Sequence, residues 1–315
     1  MSTISDPENN KELSLALHEV VKEFRRKRRW SLFFKLVILA IIIILLISFF
    51  ASRSGSTVLR EKPHTALIKI DGVIAAGGPV DADKTAAALQ NAFKDKGTKG
   101  IILRINSPGG SPVQADYIYN EIMRLRKLHP KIPVYAVCTD ICASGAYFIA
   151  AAANDIYANP SSLVGSIGVI INGFGFTGAM QKLGITRRVI IAGKNKDFLD
   201  PFSDLTVREK KVAQKMVDSV HQQFISAVEM GRGKRLHKTA DIFSGMAWTG
   251  AKAKQLGLID GYGSAGYVAR DVIKQKKILN YTIKQNAFDR LADRLGASMA
   301  NVVLSKLDVN LKEQY

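Results

Sequence analysis

The chain has 315 residues, 47% of them hydrophobic, with 45 Lys plus Arg against 27 Asp plus Glu for a formal charge of +18. That hydrophobic share excludes a disordered or collagen-like chain. Two cysteines exclude a disulfide-stapled scaffold and a C-x-x-C zinc ribbon.

The first 31 residues form a basic segment. Residues 1–51 hold eight basic and five acidic side chains, which leaves a net +15 for the remainder. A basic chain suits nucleic acid or an anionic lipid surface, and the next element favours lipid. From Leu36 onward the run LVILAIIIILLISFFA has no charge, no Gly and no Pro. With Leu32, Phe33 and Phe34 added, and Lys35 snorkelling to the headgroups, it reaches the roughly 20 residues a span needs. The sequence therefore predicts a single transmembrane helix over 32–51. Arg25 to Arg29 precede it, with Trp30 at the interface, so the positive-inside rule keeps the N-terminus in the cytoplasm. Residues beyond 51 are then expected outside the cytoplasmic (inner) membrane. A cleaved signal peptide fits less well, because Phe49 stands where a small residue is wanted and Arg53 follows at once.

Residues 52–64 read as a polar linker that includes His64. From Thr65 to about 275, short β-branched runs alternate with helical patterns. Strands are expected at Ala66–Ile70, Gly100–Ile105, Pro133–Val137, Val164–Ile171 and Arg187–Ala192. Helices are expected at Lys84–Phe93, Pro112–Leu128, Ser144–Ala152 and Gly178–Leu183. A longer one runs from Val207 to about Met230, with Val212, Met216, Val220, Phe224 and Val228 at i, i+4 spacing. This alternation implies an α/β domain with a largely parallel sheet. In the final segment, 276–315, Phe288, Leu291, Leu295 and Met299 suggest a basic amphipathic helix.

Two turns can carry chemistry. In Ile105-Asn106-Ser107-Pro108-Gly109-Gly110 a strand ends in a Pro-Gly turn, and a free Gly110 amide at a strand-to-helix junction can donate to an anion. In DICASGAYF, Ser144 stands between Ala143 and Gly145 where a strand meets an Ala-rich helix. Ser144 is either an N-cap or a nucleophile with the Gly145 amide as an oxyanion donor. Cys142 and Ala146 at the outer positions distinguish it from the G-x-S-x-G elbow. Cys138 and Cys142 are expected as buried thiols rather than as a disulfide.

A serine nucleophile needs a base. None of His18, His64, His129, His221 and His237 adjoins a Gly-rich turn or a strand end. The alternative is the loop Gly193-Lys194-Asn195-Lys196-Asp197, which otherwise reads as a solvated charged loop. A lysine base must be neutral, which requires its ordinary value of about 10.4 to fall by roughly 3 units, at about 4 kcal/mol. Desolvation against apolar walls supplies shifts of that size.

The order INSPGG, ASGAYFIAAAANDIYANPSSLVGSIGVI, GKNKD and WTGAKAKQLGLID resembles the signal peptide peptidase A family of bacteria, over roughly Thr65 to Gly266. Members are membrane-anchored serine proteases with a Ser/Lys dyad. The resemblance implies Ser144 as nucleophile and Lys196 as general base. It also implies Gly110 and Gly145 as the oxyanion hole and Ser166 as the hydroxyl that orients the lysine. It implies a crotonase-like, Clp-protease-like spiral of ββα units, no cofactor or metal, and a ring-shaped homo-oligomer around an inner cavity. One copy of the domain is present, as in the short form of the family. Ala146 stands where the family commonly has a second glycine, which narrows the site slightly.

The function implied is hydrolysis of apolar peptides, such as remnant signal peptides released from preproteins. The alternative within the superfamily is an envelope quality-control protease acting on misfolded membrane or exported proteins. A crotonase-type acyl-CoA enzyme shares the spiral but conflicts with the anchor, since CoA is cytoplasmic. Nucleic acid is not an expected partner, because no RRM, KH or zinc-finger pattern accompanies the charge.

Overall fold

The computed structural model describes residues 28–30, 32–44 and 62–283, in two units divided after Leu59. In the first unit, residues 28–30 and 32–44 form helix α1. Its apolar side chains, among them Leu36 and Ile44, are exposed. Residues 45–51 of the expected span lie outside the described residues, and no described helix is long and apolar enough to cross a membrane.

The second unit is built on a sheet whose central strands are apolar on both faces, as parallel strands between covering layers must be. In β1 (His64–Asp71), Ala66, Ile68 and Ile70 point into the main core; in β2 (Thr98–Ser107), Ile101, Leu103 and Ile105 do the same. Strand β3 (Val134–Ala143) pairs parallel to β2, and β1 pairs parallel to β2 and to β8 (Ile278–Asn280). With β5 (Leu163–Gly165) and β6 (Ala247–Thr249), the order is β6-β5-β3-β2-β1-β8, and β4 (Asp155–Ala158) lies between β3 and β7 (Gly261–Tyr262).

A bulge in β3 lets one strand serve two neighbours. Ile105 pairs with Cys138 but Ser107 pairs with Cys142, so β3 carries two extra residues there. Before the bulge β3 pairs with β4; after it, with β5. Asn106 holds the bulge. Its carboxamide oxygen accepts from the Ile141 amide at 3.2 Å and its nitrogen donates to Asp140 at 3.1 Å. Strand β6 closes this arm, antiparallel to β5.

Helices α2 (Ala82–Lys94), α3 (Pro112–Leu128), α4 (Gly145–Ala151) and the C-terminal part of α6 (Val207–Arg232) contribute buried residues to the main core. The ends of α3 follow from sequence. Ser111 caps it by accepting from the Gln114 amide, Pro112 occupies the first turn, and its buried stripe is Ala115, Ile118, Tyr119, Ile122 and Leu125. Helix α6 opens with a reciprocal Thr206/Glu209 capping box. Shorter helices are α5 (Thr177–Lys182), α7 (Gly250–Gln255) and α8 (Ala265–Tyr267).

Several expectations need correction. His64 is the first residue of β1 and fully buried, not part of a tether. Residues 187–192 form no strand, and of Val164–Ile171 only the start is strand, in β5. Among the described residues, 187–192 pair with no other strand. The body extends past 275, because β8 pairs with β1. The proposed helix around Phe288 to Met299 lies outside the described residues. The α6 stripe is present, but only its C-terminal part is buried: Val212 and Met216 are exposed while Phe224 and Val228 are in the core.

Candidate active site

Ser144 ends the bulged arm of β3 and precedes α4. Its φ of 53° and ψ of −128° are rare for a residue with a Cβ. The conformation is held from both sides: the Ser144 amide donates to the Gly165 carbonyl at 2.8 Å, and the Phe148 amide donates to the Ser144 carbonyl at 3.0 Å. Ser144 stands at the N-cap position of α4, yet its side chain makes no capping hydrogen bond. The N-cap reading therefore fails, and the hydroxyl is left available.

The Pro-Gly turn after β2 presses against this serine. A Cβ on Gly109 (φ +99°) would lie 2.8 Å from both the Gly145 nitrogen and the Ser144 Cβ. A Cβ on Gly110 (φ +149°) would lie 2.1 Å from the Ile74 carbonyl oxygen, with which that turn forms a β-bridge. Only glycine fits either place. The Gly110 nitrogen would be 3.5 Å from a Cβ on Gly145, so the two amides adjoin, and among the described residues neither donates a hydrogen bond. Adjacent orphan amides beside an uncapped serine are what a developing oxyanion requires.

Gly110, Ser144 and Gly145 together line a cavity of about 430 Å³. Its other walls are largely apolar, from Val113, Phe148, Val169, Ile170, Val220 and Phe224, with Asp116 and Gln223 as polar members. Phe148 packs against Tyr119 and Phe224, with ring centroids 5.1 and 5.2 Å apart. Sequence reading placed Gly109 in the Pro-Gly turn but missed Asp116 and Phe148. The i, i+4 stripe of α6 was the signal for Val220 and Phe224.

Ser166 is brought to the same turn. It follows Gly165, whose carbonyl holds the Ser144 amide, and has a φ of 50° itself. Its amide donates to the Met246 carbonyl at 2.9 Å. Lys196 is elsewhere. It sits on an exposed turn, where its amide donates to the Gly193 carbonyl at 3.0 Å. It does not line the cavity, and among the described residues its ammonium has no partner. Lys194 is likewise exposed. His221, in α6, hydrogen-bonds the Ile167 carbonyl at 3.0 Å and so is engaged beside Ser166 rather than at Ser144.

Cys138 and Cys142 are free, buried thiols. Burial, and then the neighbouring Cys138, push the Cys142 thiol well above its ordinary value, so it is unfit as a nucleophile.

The body is braced behind α4. The Tyr147 hydroxyl donates to the Leu258 carbonyl at 2.7 Å, and burial raises its phenol. Arg232, fully buried, grips Asp260 in a bidentate pair at 2.7 and 2.8 Å and donates to the Gly257 carbonyl. Asp260 also accepts from the Ile156 amide at 2.7 Å. Gly231 lets α6 touch α4, since a Cβ there would lie 2.0 Å from the Ala151 carbonyl oxygen.

Comparisons with known proteins find peptidases. The model of peptidase family S49 matches residues 126–279, and that of the Clp proteases matches 64–164. A Synechocystis putative protease, slr0021, is 35% identical over 63% of this chain and 69% of its own length. The putative signal peptide peptidase SppA of Enterococcus faecium is 33% identical, over 62% of this chain and 56% of its own. A Brucella melitensis protein named Na(+)/H(+) antiporter NhaA is 41% identical over 62% of this chain. The match spans about a quarter of that protein, 27%. By sequence, the chain belongs to peptidase family S49.

Proposed function

We propose that this protein is a serine endopeptidase that cleaves apolar peptides, remnant signal peptides foremost, from an anchor in the cytoplasmic membrane. The observation that carries the proposal is the uncapped Ser144 hydroxyl on a positive-φ turn, beside two orphan amides and above an apolar cavity. The name of the Enterococcus relative supports signal peptides as the substrate class.

In the proposed reaction the Ser144 proton passes to the neutral amine of Lys196 as the Ser144 Oγ attacks the scissile carbonyl carbon. The carbonyl oxygen takes the negative charge and is held by the Gly110 and Gly145 amides. The lysine returns its proton to the departing amine, leaving an acyl-enzyme. Water, deprotonated by the same lysine, then releases the acid. Ser166 orients the lysine. Apolar walls at Val113, Phe148 and Phe224 favour apolar side chains beside the scissile bond.

Lys196 has to reach Ser144 from a loop that does not line the cavity. The segment 166–206 that carries it exposes large apolar side chains, Phe174 at 82% and Leu183 at 72%, which a neighbouring copy would cover. This supports a ring in which one copy's Lys196 serves the Ser144 of the next.

The test is labelling of the full chain with a serine-directed fluorophosphonate. Ser144→Ala should abolish both labelling and cleavage of an apolar fluorogenic peptide. Labelling that persists in Ser144→Ala refutes the assignment.

A further inference from the structure

The parallel sheet has two chemically unlike edges. Strands β1, β2, β3 and β8 all begin on one edge, where His64 pairs with Thr98, Thr65 with Ile278, and Ile101 with Val134. At or just before those starts stand Lys62, Lys96, Lys99, Lys131, Lys276 and Lys277, all exposed. Among the described residues none of their ammonium groups has an ion pair or a hydrogen bond. Among the described residues the acid beside them is Asp95, which accepts from the Tyr281 hydroxyl at 2.5 Å and from the Gly97 amide at 2.9 Å. Leu128, at the end of α3, is 60% exposed beside them. The other edge carries the acids Asp71 and Asp140, together with the turns at Gly110 and Ser144.

Six unneutralised lysines within a few Debye lengths repel one another. No hydrogen bond or ion pair among the described residues accounts for their charge. A like-charged edge cannot pair with itself in a second copy. It fits a fixed surface of negative charge, and the chain's own connectivity supplies one. Twelve residues separate Ala51, the last of the expected span, from His64 of β1. Fully extended they reach at most about 40 Å, and as a flexible chain about 20 Å. The edge that receives this linker is the lysine edge.

We propose that the lysine edge lies against the anionic lipid headgroups of the membrane. This rests on the anchor proposed above. Strand β2 then runs away from the bilayer, and its ten residues set the Gly110 and Ser144 turns roughly 30 Å from the headgroups. The enzyme would therefore act on peptides that have already left the bilayer.

The experiment uses the full chain in vesicles of phosphatidylcholine alone or with phosphatidylglycerol, probed with a membrane-impermeant acetylating reagent and read lysine by lysine. Each lysine held near an anionic surface gains about fivefold in association. Acetylation of Lys96, Lys99, Lys131 and Lys277 should slow by at least about that factor with phosphatidylglycerol and recover in high salt. Lys182 and Lys211 should not change. The triple variant Lys96→Glu, Lys99→Glu, Lys131→Glu should lose the protection of Lys276 and Lys277 while Ser144 is still labelled by fluorophosphonate. Equal rates in both vesicles, with the protein floating on each, overturn the lysine edge and leave the anchor standing. Flotation only with phosphatidylglycerol, lost in the triple variant, keeps the edge and overturns the anchor. Flotation with neither overturns both. Equal protection by a soluble oligonucleotide on phosphatidylcholine vesicles shows a free polyanion site and overturns the lipid assignment.

Discussion

The two halves of the proposed dyad are built in opposite ways. Ser144 is fixed from every direction: its turn is pinned by Gly165 and by the Gly109-Gly110 turn, and α4 behind it is held by Gly231, Tyr147 and the Arg232–Asp260 pair. Lys196 hangs on a segment whose apolar residues face solvent, with Ile190 fully exposed. What ties that segment together is local: the Arg187–Asp200 ion pair, the stacked rings of Phe176 and Phe202 at 5.5 Å, and the capping box of α6. A nucleophile under backbone strain needs a rigid frame within its own chain. Under the proposal of a dyad shared between copies, the base needs only a correct local turn.

The largest effect expected is at the braced half. Ser144→Ala should lower kcat/KM on an apolar fluorogenic peptide by at least about 10⁴-fold, with the fold intact by circular dichroism. Lys196→Arg comes next, at about 10³-fold, because a guanidinium does not give up its proton at usable pH. Lys194→Arg should stay within about twofold, as an exposed surface charge. The comparison between the halves is sharpened by mixing the two inactive proteins after dissociation. If the dyad is shared between copies, about a quarter of the sites regain both residues. No recovery on mixing would place both groups in one chain.

Third in size is the brace. Arg232→Met takes the bidentate partner from the partly buried Asp260 carboxylate and leaves it only Arg235 at 3.1 Å and the Ile156 amide, at about 3 kcal/mol, the low end for breaking a buried pair. A loss of about 10 °C in Tm follows. The double variant Arg232→Met, Asp260→Asn should recover part of it. Both readouts concern the Ser144 half, and tryptic cleavage within 170–206 should keep its rate. Cleavage there that accelerates in step with unfolding of the body would mean that the two regions open as one cooperative unit.

These differences also explain what could be read from the sequence. The ends of α3 were legible because Ser111, Pro112 and His129 are local signals. The Ser144 turn was legible for the same reason: two small neighbours at a strand-to-helix junction. The strand expected at Arg187–Ala192 failed because β-branched residues describe a strand only when the chain path lays them along a partner edge, and residues 187–192 pair with no strand among the described residues. His64 failed because polar neighbours in the sequence conceal a side chain buried by the distant Tyr281 and Thr98. The Arg232–Asp260 brace left no signal, since its members are 28 residues apart.

A smaller effect belongs to Ser166, the one candidate residue at the junction of the halves. Ser166→Ala removes a hydroxyl but neither reacting group. A single lost hydrogen bond corresponds to a fall of about fivefold to tenfold in kcat/KM. The pH profile should shift as well, because the hydroxyl is proposed to orient the amine that accepts the proton. A fall in activity with an unchanged profile would leave Ser166 a packing residue of the Ser144 turn and no link to the base.

The smallest effect is on stability in acid, and it separates two carboxylates of one network by sign. Burial alone would raise Asp260, but the Arg232 pair outweighs it and holds the carboxyl below the usual carboxylate range. A group depressed in the folded state contributes stability that is complete above its unfolded value of about 4 and is lost as pH falls below it. Asp155 is shifted the other way, raised by burial and then by the charge of Asp260. Its ionised form is a liability in the folded protein, so protonation on the way down from neutral pH brings slight relief. The melting temperature should therefore rise shallowly toward about pH 5 and fall below about pH 4. Asp155→Asn should remove the rise and Asp260→Asn should flatten the fall. The acid limb follows the frame behind Ser144, so Lys196→Arg should leave the whole curve in place. A changed acid limb in Lys196→Arg would mean that the exposed half is coupled to the brace after all.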